Sequence, residues 1–222
     1  VPRIAELTGR SEADVSTSLA AQDIETQLQV PGPGPEGYLF PDTYRFAQGV
    51  PVDAVLSAMA GRYNSIWTPE RRARLDSLGM SERELVTLAS IIQAEARKTD
   101  EMPHISSVFH NRLEQGWLLQ ADPTVLYALG GPRARLLYAA IDSVQDNPYN
   151  TYTQRGLPPG PIGAPGEAAI EAALYPVTEE YMYFVARPDG SHVFTKTLAD
   201  HNRAKAAARR AWDAIGSGDE VP

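Results

Sequence analysis

The segment from Ser81 to Ala96 places the strongest constraint on the fold, because its apolar residues repeat with the period of an α-helix. Ser81 followed by Glu84 has the spacing of a capping box, which marks where such a helix begins. We therefore predict an amphipathic helix with one buried stripe. The stripe consists of Leu85, Leu88, Ala89, Ile92 and Ala96.

One carboxylate falls inside this stripe. Glu95 follows Leu88 by seven residues, so the two lie within about 20° of each other on a helical wheel. A carboxylate that faces a core is costly unless it is paired, protonated or directed into a cleft. Partial desolvation in a cleft raises the pKa of a carboxyl group, as a general acid near neutral pH requires. A structural ion pair with Lys98 is the alternative.

The remaining patterns predict an α+β fold, in which a mainly helical domain carries a small antiparallel β-hairpin. Two strand-like segments, residues 181–186 and 191–195, flank an Arg-Pro-Asp-Gly sequence that favours a tight turn. Helical patterns occur in residues 1–30, 52–63, 69–79, 104–114, 122–130, directly after 166, and in 198–215.

Two stretches rich in proline and glycine interrupt these elements. Residues 30–37 cannot hold a helix or a central strand, and they mark either a domain boundary or an ordinary surface loop. If these residues are a domain boundary, we expect a helical region over 1–34, a main domain over 35–218 and a tail over 219–222. Residues 147–166 predict a long irregular loop, whose aromatic and polar side chains favour a functional role.

Composition removes several classes of function. A net charge of −8 argues against nucleic acid as a partner and against a basic membrane-binding patch. The absence of cysteine excludes disulfides and thiol catalysis, and the four histidines lack tight metal-ligand spacing. No serine-nucleophile or phosphate-binding motif occurs, so we expect no metal and no cofactor, and carboxylate chemistry remains.

The ends of the chain carry one further expectation. No apolar run reaches the roughly 18 residues that a membrane span needs, and no signal peptide is visible. Because the sequence begins with Val1, we expect a processed or truncated soluble piece of a longer protein.

The other polar candidates have structural interpretations as well. Asp122 precedes a proline at a predicted helix start, where an aspartate is a common cap. Glu36 lies in a loop, and Asn150, Thr151 and Tyr152 are compatible with a turn. From the residues alone, both the structural and the functional interpretation of these positions stay open.

Nine short motifs occur in a specific order along the chain. They are Glu-Gly-Tyr-Leu-Phe-Pro-Asp-Thr-Tyr (36–44), Leu-Ala-Ser-Ile-Ile-Gln-Ala-Glu-Ala (88–96), Val-Phe-His-Asn-Arg-Leu (108–113), Leu-Gln-Ala-Asp-Pro-Thr-Val-Leu-Tyr (119–127), Pro-Tyr-Asn-Thr-Tyr (148–152), Gly-Leu-Pro-Pro-Gly-Pro-Ile (156–162), Tyr-Phe-Val-Ala (183–186), Asp-Gly-Ser-His-Val-Phe (189–194) and His201-Asn202. The ordered set resembles the YceG-like, or MltG, family of endolytic peptidoglycan (murein) lytic transglycosylases, over about residues 36–205.

The resemblance implies a catalytic glutamate in the 88–96 motif. Many family members have two acidic residues there, separated by one position, and in this chain the first is Gln93. Glu95 alone therefore matches the catalytic position. The implied reaction cleaves the β-1,4 bond between N-acetylmuramic acid and N-acetylglucosamine, and it leaves 1,6-anhydro ends. Glu95 would act first as the acid and then as the base.

The resemblance also implies a setting in the bacterial cell envelope, at the extracytoplasmic face of the plasma membrane. Family members typically carry a membrane anchor and a LysM-like subdomain, of which residues 1–34 would be a helical remnant. The substrate would be peptidoglycan glycan strands, trimmed or terminated near the peptidoglycan synthases. A non-catalytic glycan-binding or scaffold module and a hydrolytic muramidase are the alternatives.

The remaining predicted site residues would bind the glycan. The polar side chains would hold N-acetyl groups and orient the reacting ring, while one tyrosine, Tyr152, would stack on a sugar face. Two positions in the 36–44 motif are weaker candidates. The full set is Gln120, Asp122, Thr124, Asn150, Thr151 and Tyr152, with Glu36 and Tyr38 as the weaker pair.

Overall fold

A computed structural model describes residues 1–131 and 138–216, and its architecture is the predicted α+β fold. Helices account for most of the described chain, and two short strands form the only sheet within it. The elements are α1 (Pro2–Thr8), α2 (Glu12–Leu19), α3 (Ile24–Leu28), α4 (Val52–Ser65), α5 (Pro69–Leu78), α6 (Glu82–Glu95), a 3-10 turn (Thr99–Glu101), α7 (Met102–Glu114), α8 (Asp122–Ala128), α9 (Tyr138–Asp142), α10 (Glu167–Leu174), β1 (Tyr183–Ala186), β2 (His192–Thr195) and α11 (Leu198–Gly216).

Helix α6 lies at the centre of the fold and packs against α7, α8 and α10. Its predicted capping box is confirmed, because the Glu84 N–H donates to Ser81 Oγ at 3.2 Å while the Ser81 N–H donates to Glu84 Oε2 at 2.8 Å. The helix is buried on more than the predicted stripe, since Val86 and Ile91 are also inaccessible to solvent. An α-helix buried on several sides is fixed by all of its neighbours.

Three side chains of α6 also hold the long loop over residues 147–166. Arg83 Nε donates to Pro159 O at 2.8 Å, and Ser90 Oγ accepts the Ile162 N–H at 3.0 Å. Gln93 Oε1 accepts the N–H of Gly166 at 3.1 Å, at the point where the loop ends. The predicted irregular conformation of the loop is confirmed, and the loop is tied to the central helix along its second half.

The first three helices pack on α4, and their buried residues belong to the same apolar core as those of α6. The residues that join the core are Ala5, Val15, Ile24 and Leu28. The division into 1–34 and 35–218 stays a prediction, and the tail over 219–222 lies outside the described residues.

The predicted hairpin is confirmed, with Tyr183 opposite Thr195 and Ala186 opposite His192. Helix α11 packs on both strands, and Phe184 meets Phe109 of α7 edge-on at 5.8 Å. The hairpin and α11 therefore attach to the helical core through an aromatic contact. In the described part of the chain, no helix is both long and apolar enough to cross a membrane.

Some boundaries differ from those that the sequence predicts. Helix α7 begins at Met102, two residues before His104, because the 3-10 turn leads into it and Pro103 fits its first turn. The short helix α9 was not predicted, since its five residues are too few for a periodic pattern.

Gly37 provides a test of how the chain is held near its predicted boundary. Its φ is +89°, and a Cβ at this position would clash with the Pro161 ring of the long loop. We expect Gly37→Ala to lower the free energy of unfolding by about 3 kcal/mol, from backbone strain and overpacking together. Gly34 has a similar φ of +80° with nothing nearby, so Gly34→Ala should cost only about 1 kcal/mol. Equal losses of stability for the two variants in urea denaturation would contradict the packing described.

Candidate active site

Glu95 is the last residue of α6, and it lines an open cleft of about 680 Å³. The cleft walls come from α6, α7, α8, α9, the long loop, the hairpin and α11. The lining residues are Glu95, Arg112, Gln120, Asp122, Tyr138, Ile141, Tyr152, Tyr183, Phe184, Val185, Ala186, His192, Leu198, His201, Asn202 and Lys205.

Burial raises the pKa of Glu95 to about 8, and the negative charge of Asp122 adds to this effect. The Arg112 cation and the Asp122 backbone N–H favour the ionised form and oppose the shift. Although Glu95 keeps partial exposure as a residue, protein atoms enclose its carboxyl group. The side chain is therefore protonated near neutral pH. Lys98, the alternative ion-pair partner, lies instead 3.9 Å from Asp189.

Arg112 supplies a buried positive charge beside this acid. Its side chain donates from Nε to Met182 O at 2.9 Å and from Nη1 to Leu119 O at 2.5 Å. The guanidinium lies over the Tyr183 ring, 5.7 Å from its centroid. Because carbonyl oxygens hold Arg112 and no carboxylate neutralises it at ion-pair distance among the described residues, its charge acts on the cleft.

Asp122 and Tyr152 also line the cleft, and a hydrogen bond joins their side chains. Tyr152 Oη donates to Asp122 Oδ1 at 2.5 Å. This hydrogen bond connects the long loop to the start of α8. The capping interpretation of Asp122 is wrong, because Ala121 is the N-cap residue and no side chain caps this helix. Burial, reinforced by Asp122, raises the pKa of Tyr152, so its hydroxyl remains a donor.

Gln120 lies at the cleft in an unusual backbone conformation. Its φ is +50°, in the left-handed region that residues other than glycine rarely adopt, and its N–H donates to Thr151 O at 3.0 Å. Strain of this kind is often found where a side chain must be directed into a site.

Three predicted site residues, Thr124, Asn150 and Thr151, are buried behind the cleft wall. Thr151 Oγ1 accepts the Ala121 N–H at 3.0 Å and lies 2.9 Å from Thr124 Oγ1. Asn150 donates to Ile141 O at 3.0 Å. Their side chains join the loop to α8 and α9, so they position the wall, and their direct contact with a glycan stays a prediction.

The two weaker candidates lie away from this cleft. Tyr38 is only 1% exposed and meets Tyr63 edge-on at 5.3 Å in the core, so its prediction as a cleft residue is wrong. The apolar environment of its ring takes precedence over its polar hydroxyl. Glu36 is exposed and accepts a hydrogen bond from Tyr127 Oη at 2.6 Å. It is not among the lining residues, and its role stays a prediction.

Several lining residues were not predicted as site residues. Tyr183 is covered by Arg112 and by His201, which stacks on it at 5.0 Å, while His192 Nδ1 lies 2.7 Å from Glu101 Oε2. The sequence did contain a signal for these site residues, because the ordered motifs include Arg112, Tyr183, His192 and His201. Within the described ranges, no group of three or more His, Asp or Glu side chains is arranged to hold a metal ion.

Comparison with known proteins shows which family this chain is similar to. Residues 3–207 match the YceG-like family. The chain is 43% identical over 171 residues to the "Endolytic murein transglycosylase" of Bacillus subtilis, and this match covers 77% of the chain and 47% of that relative. It is 33% identical over 172 residues to the protein of the same name from Streptococcus pneumoniae D39, covering 76% and 31% respectively. The chain thus spans half or less of these relatives' length.

A solved structure has the same fold. A yceG-like protein of Listeria monocytogenes superposes with a TM-score of 0.72 at 36% sequence identity. The superposition covers 91% of this chain and 66% of the other.

The raised pKa of Glu95 predicts a stability gain on neutralising it. The pKa of this carboxyl group rises from 4.5 in the unfolded chain to about 8 on folding. The free energy of unfolding of the protein therefore decreases as the pH increases between those values, since Glu95 ionises there in the unfolded chain but not in the folded one. We expect Glu95→Gln to be more stable than the wild type, with a difference that grows by roughly 3–4 kcal/mol between pH 5 and pH 8. Urea denaturation at each pH measures it. The exposed Glu6→Gln is the control, and a difference for Glu95→Gln that is constant with pH would contradict the assignment.

Proposed function

The chain belongs to the YceG-like family, and we propose that it is the catalytic part of an endolytic murein transglycosylase. Its substrate is the glycan strand of peptidoglycan, cut internally at the β-1,4 bond between N-acetylmuramic acid and N-acetylglucosamine. The observation that carries the proposal is a carboxyl group, Glu95, held protonated near neutral pH in an open cleft.

In the proposed reaction Glu95 first donates its proton to the glycosidic oxygen, and the bond from that oxygen to the anomeric carbon breaks. The 6-hydroxyl of the same muramoyl ring then attacks the anomeric carbon. Glu95, now ionised, accepts the hydroxyl proton and returns to its starting state. The product is a 1,6-anhydromuramoyl end, no water is consumed, and the intramolecular nucleophile benefits from proximity.

The second cleft carboxylate supports this reaction over hydrolysis. A hydrolysing glycosidase commonly needs a second carboxylate as nucleophile or as base for water. Asp122 accepts a 2.5 Å hydrogen bond from Tyr152, which reduces its nucleophilicity. Its negative charge is suited instead to stabilising the positive charge that develops on the sugar ring in the transition state.

Arg112 and Tyr138 have complementary roles in the proposal. The Arg112 cation stabilises the Glu95 carboxylate that forms after proton donation, since it already favours that form in the free protein. Tyr138 is 82% exposed at the cleft and offers an aromatic face on which a sugar ring can stack. Gln120 and Tyr152 supply the polar contacts that orient the reacting unit.

The setting of the reaction belongs to the same proposal. We place the activity at the extracytoplasmic face of the plasma membrane, where nascent strands are trimmed or terminated beside the peptidoglycan synthases. This setting is supported by the name of the relatives, which are endolytic murein transglycosylases.

Glu95→Gln tests the proposed chemistry. We expect the wild-type chain to release fragments with 1,6-anhydro ends from purified peptidoglycan, measured by mass spectrometry. Removing the proton that Glu95 donates should lower their rate of formation by at least about 100-fold. Glu114→Gln, an exposed change on α7, is the matched control and should retain activity.

The other outcomes separate the competing functions. Products with reducing ends would indicate a hydrolytic muramidase, and strand binding without cleavage would indicate a binding module. Undiminished 1,6-anhydro product from Glu95→Gln would refute the role of this residue.

A further inference from the structure

Helix α11 presents two different stripes to its surroundings. Residues Leu198, His201, Asn202 and Lys205 line the cleft, at the i, i+3, i+4 and i+7 spacing of one helix face. A second stripe, which includes Ala208, lines a separate apolar groove against the hairpin. The stripe is therefore a wall of the cleft that contains Glu95, and one of its polar residues, His201, also stacks on Tyr183 of the hairpin.

The polar groups on this wall have free hydrogen-bonding capacity. Across residues 1–131 and 138–216, no acidic side chain lies within ion-pair distance of Lys205, whereas Arg203 of the same helix pairs with Asp200. Asn202 is exposed and its side-chain amide makes no hydrogen bond within the described residues. His201 Nδ1 is buried without a partner in the same part of the chain. Unpaired buried polar atoms of this kind are uncommon in folded proteins.

Positive charge accumulates on this side of the cleft. The pKa of His201 is lowered first by burial and then by Lys205 and Arg112, so both cations lie close to its ring. The cleft is thus polarised, with Glu95 and Asp122 as acidic groups and with Lys205 and Arg112 as cations. A cleft of mixed sign selects for a ligand that carries a charge at one defined place.

We propose that Lys205, Asn202 and His201 form a subsite for a carboxylate of the glycan strand. The inference rests on the proposed function and names the substrate group that the α11 wall binds. N-acetylglucosamine is uncharged, while each muramoyl unit carries a lactyl group that ends in a carboxylate or in an amide-linked stem peptide with its own carboxylates. Lys205 provides the charge, and the neutral side chains provide hydrogen bonds.

The subsite has a consequence for bond selection. Two kinds of β-1,4 bond alternate along the strand, and a neutral cleft would distinguish them poorly. Because only muramoyl units carry the charge, anchoring that charge on α11 fixes which of the two bonds reaches Glu95. The wall therefore sets the register of the strand in the cleft.

Lys205→Gln tests the subsite, with Arg210→Gln on another face of the same helix as a control of equal charge change. Four strands serve as probes: peptide-free strands with lactyl carboxylates, the same strands converted to methylamides, peptide-bearing strands, and peptide-bearing strands with amidated carboxylates. We expect Lys205→Gln to lower kcat/KM about tenfold on a carboxylate-bearing strand and less than about twofold on its amidated form. Lys205→Arg should restore activity, and Arg210→Gln should match the wild type.

The arms distinguish the source of the carboxylate. A loss on peptide-free strands assigns the lactyl group, and a loss confined to peptide-bearing strands assigns the stem. An equal loss on all four strands, or no loss on any, overturns the proposal.

Binding of the same strands, measured in the Glu95→Gln background, gives a readout independent of cleavage. If Lys205 discriminates carboxylate from amide in binding while the wild type cleaves nothing, the subsite stands and the proposed function fails. Equal affinity for carboxylate and amidated strands, with and without Lys205, refutes the subsite alone.

Discussion

The burial of α6 is the constraint on which the rest of the structure depends. The packing that removes Leu88 and Ile92 from solvent also places Glu95, the last residue of the helix, at the cleft. The helix is enclosed by α7, α8 and α10 over most of its length, and its partly exposed last residue, Glu95, lies where the core meets the cleft. Desolvation then raises the pKa of Glu95, so the packing that stabilises the fold also keeps this carboxyl group protonated.

Neutral hydrogen bonds hold the other walls in place around that acid. Ser90 ties the long loop to α6, and Thr151 ties the same loop to α8. Because the Thr151 bond is buried, the Ser90 bond is partly buried and both are between neutral groups, they fix the position of the loop without adding charge to the cleft. The groups that remain in the cleft, the protonated Glu95 and the charged Asp122 and Arg112, are therefore free to act on a ligand.

Local patterns predicted the hairpin, the helices other than α9 and the capping box of α6, because a turn sequence, an apolar period and a capping box are contained within a few residues. The candidate acid was predicted for the same reason, since Glu95 interrupts a local stripe. Arg112 and Tyr183 could not be found in this way, because their positions follow from contacts between α7, the hairpin and α11. Tyr38 was assigned wrongly, since its burial depends on Tyr63, a residue far away in the sequence.

The proposed role of Glu95 is tested most directly by measuring its pKa by 13C NMR on selectively labelled glutamate, with Glu95→Gln to assign the signal. We expect the Glu95 carboxyl group to titrate near pH 8, and its pKa to be lower in Asp122→Asn, where a neighbouring negative charge is removed. Titration near the ordinary value of 4.5, unchanged by Asp122→Asn, would contradict the proposed role.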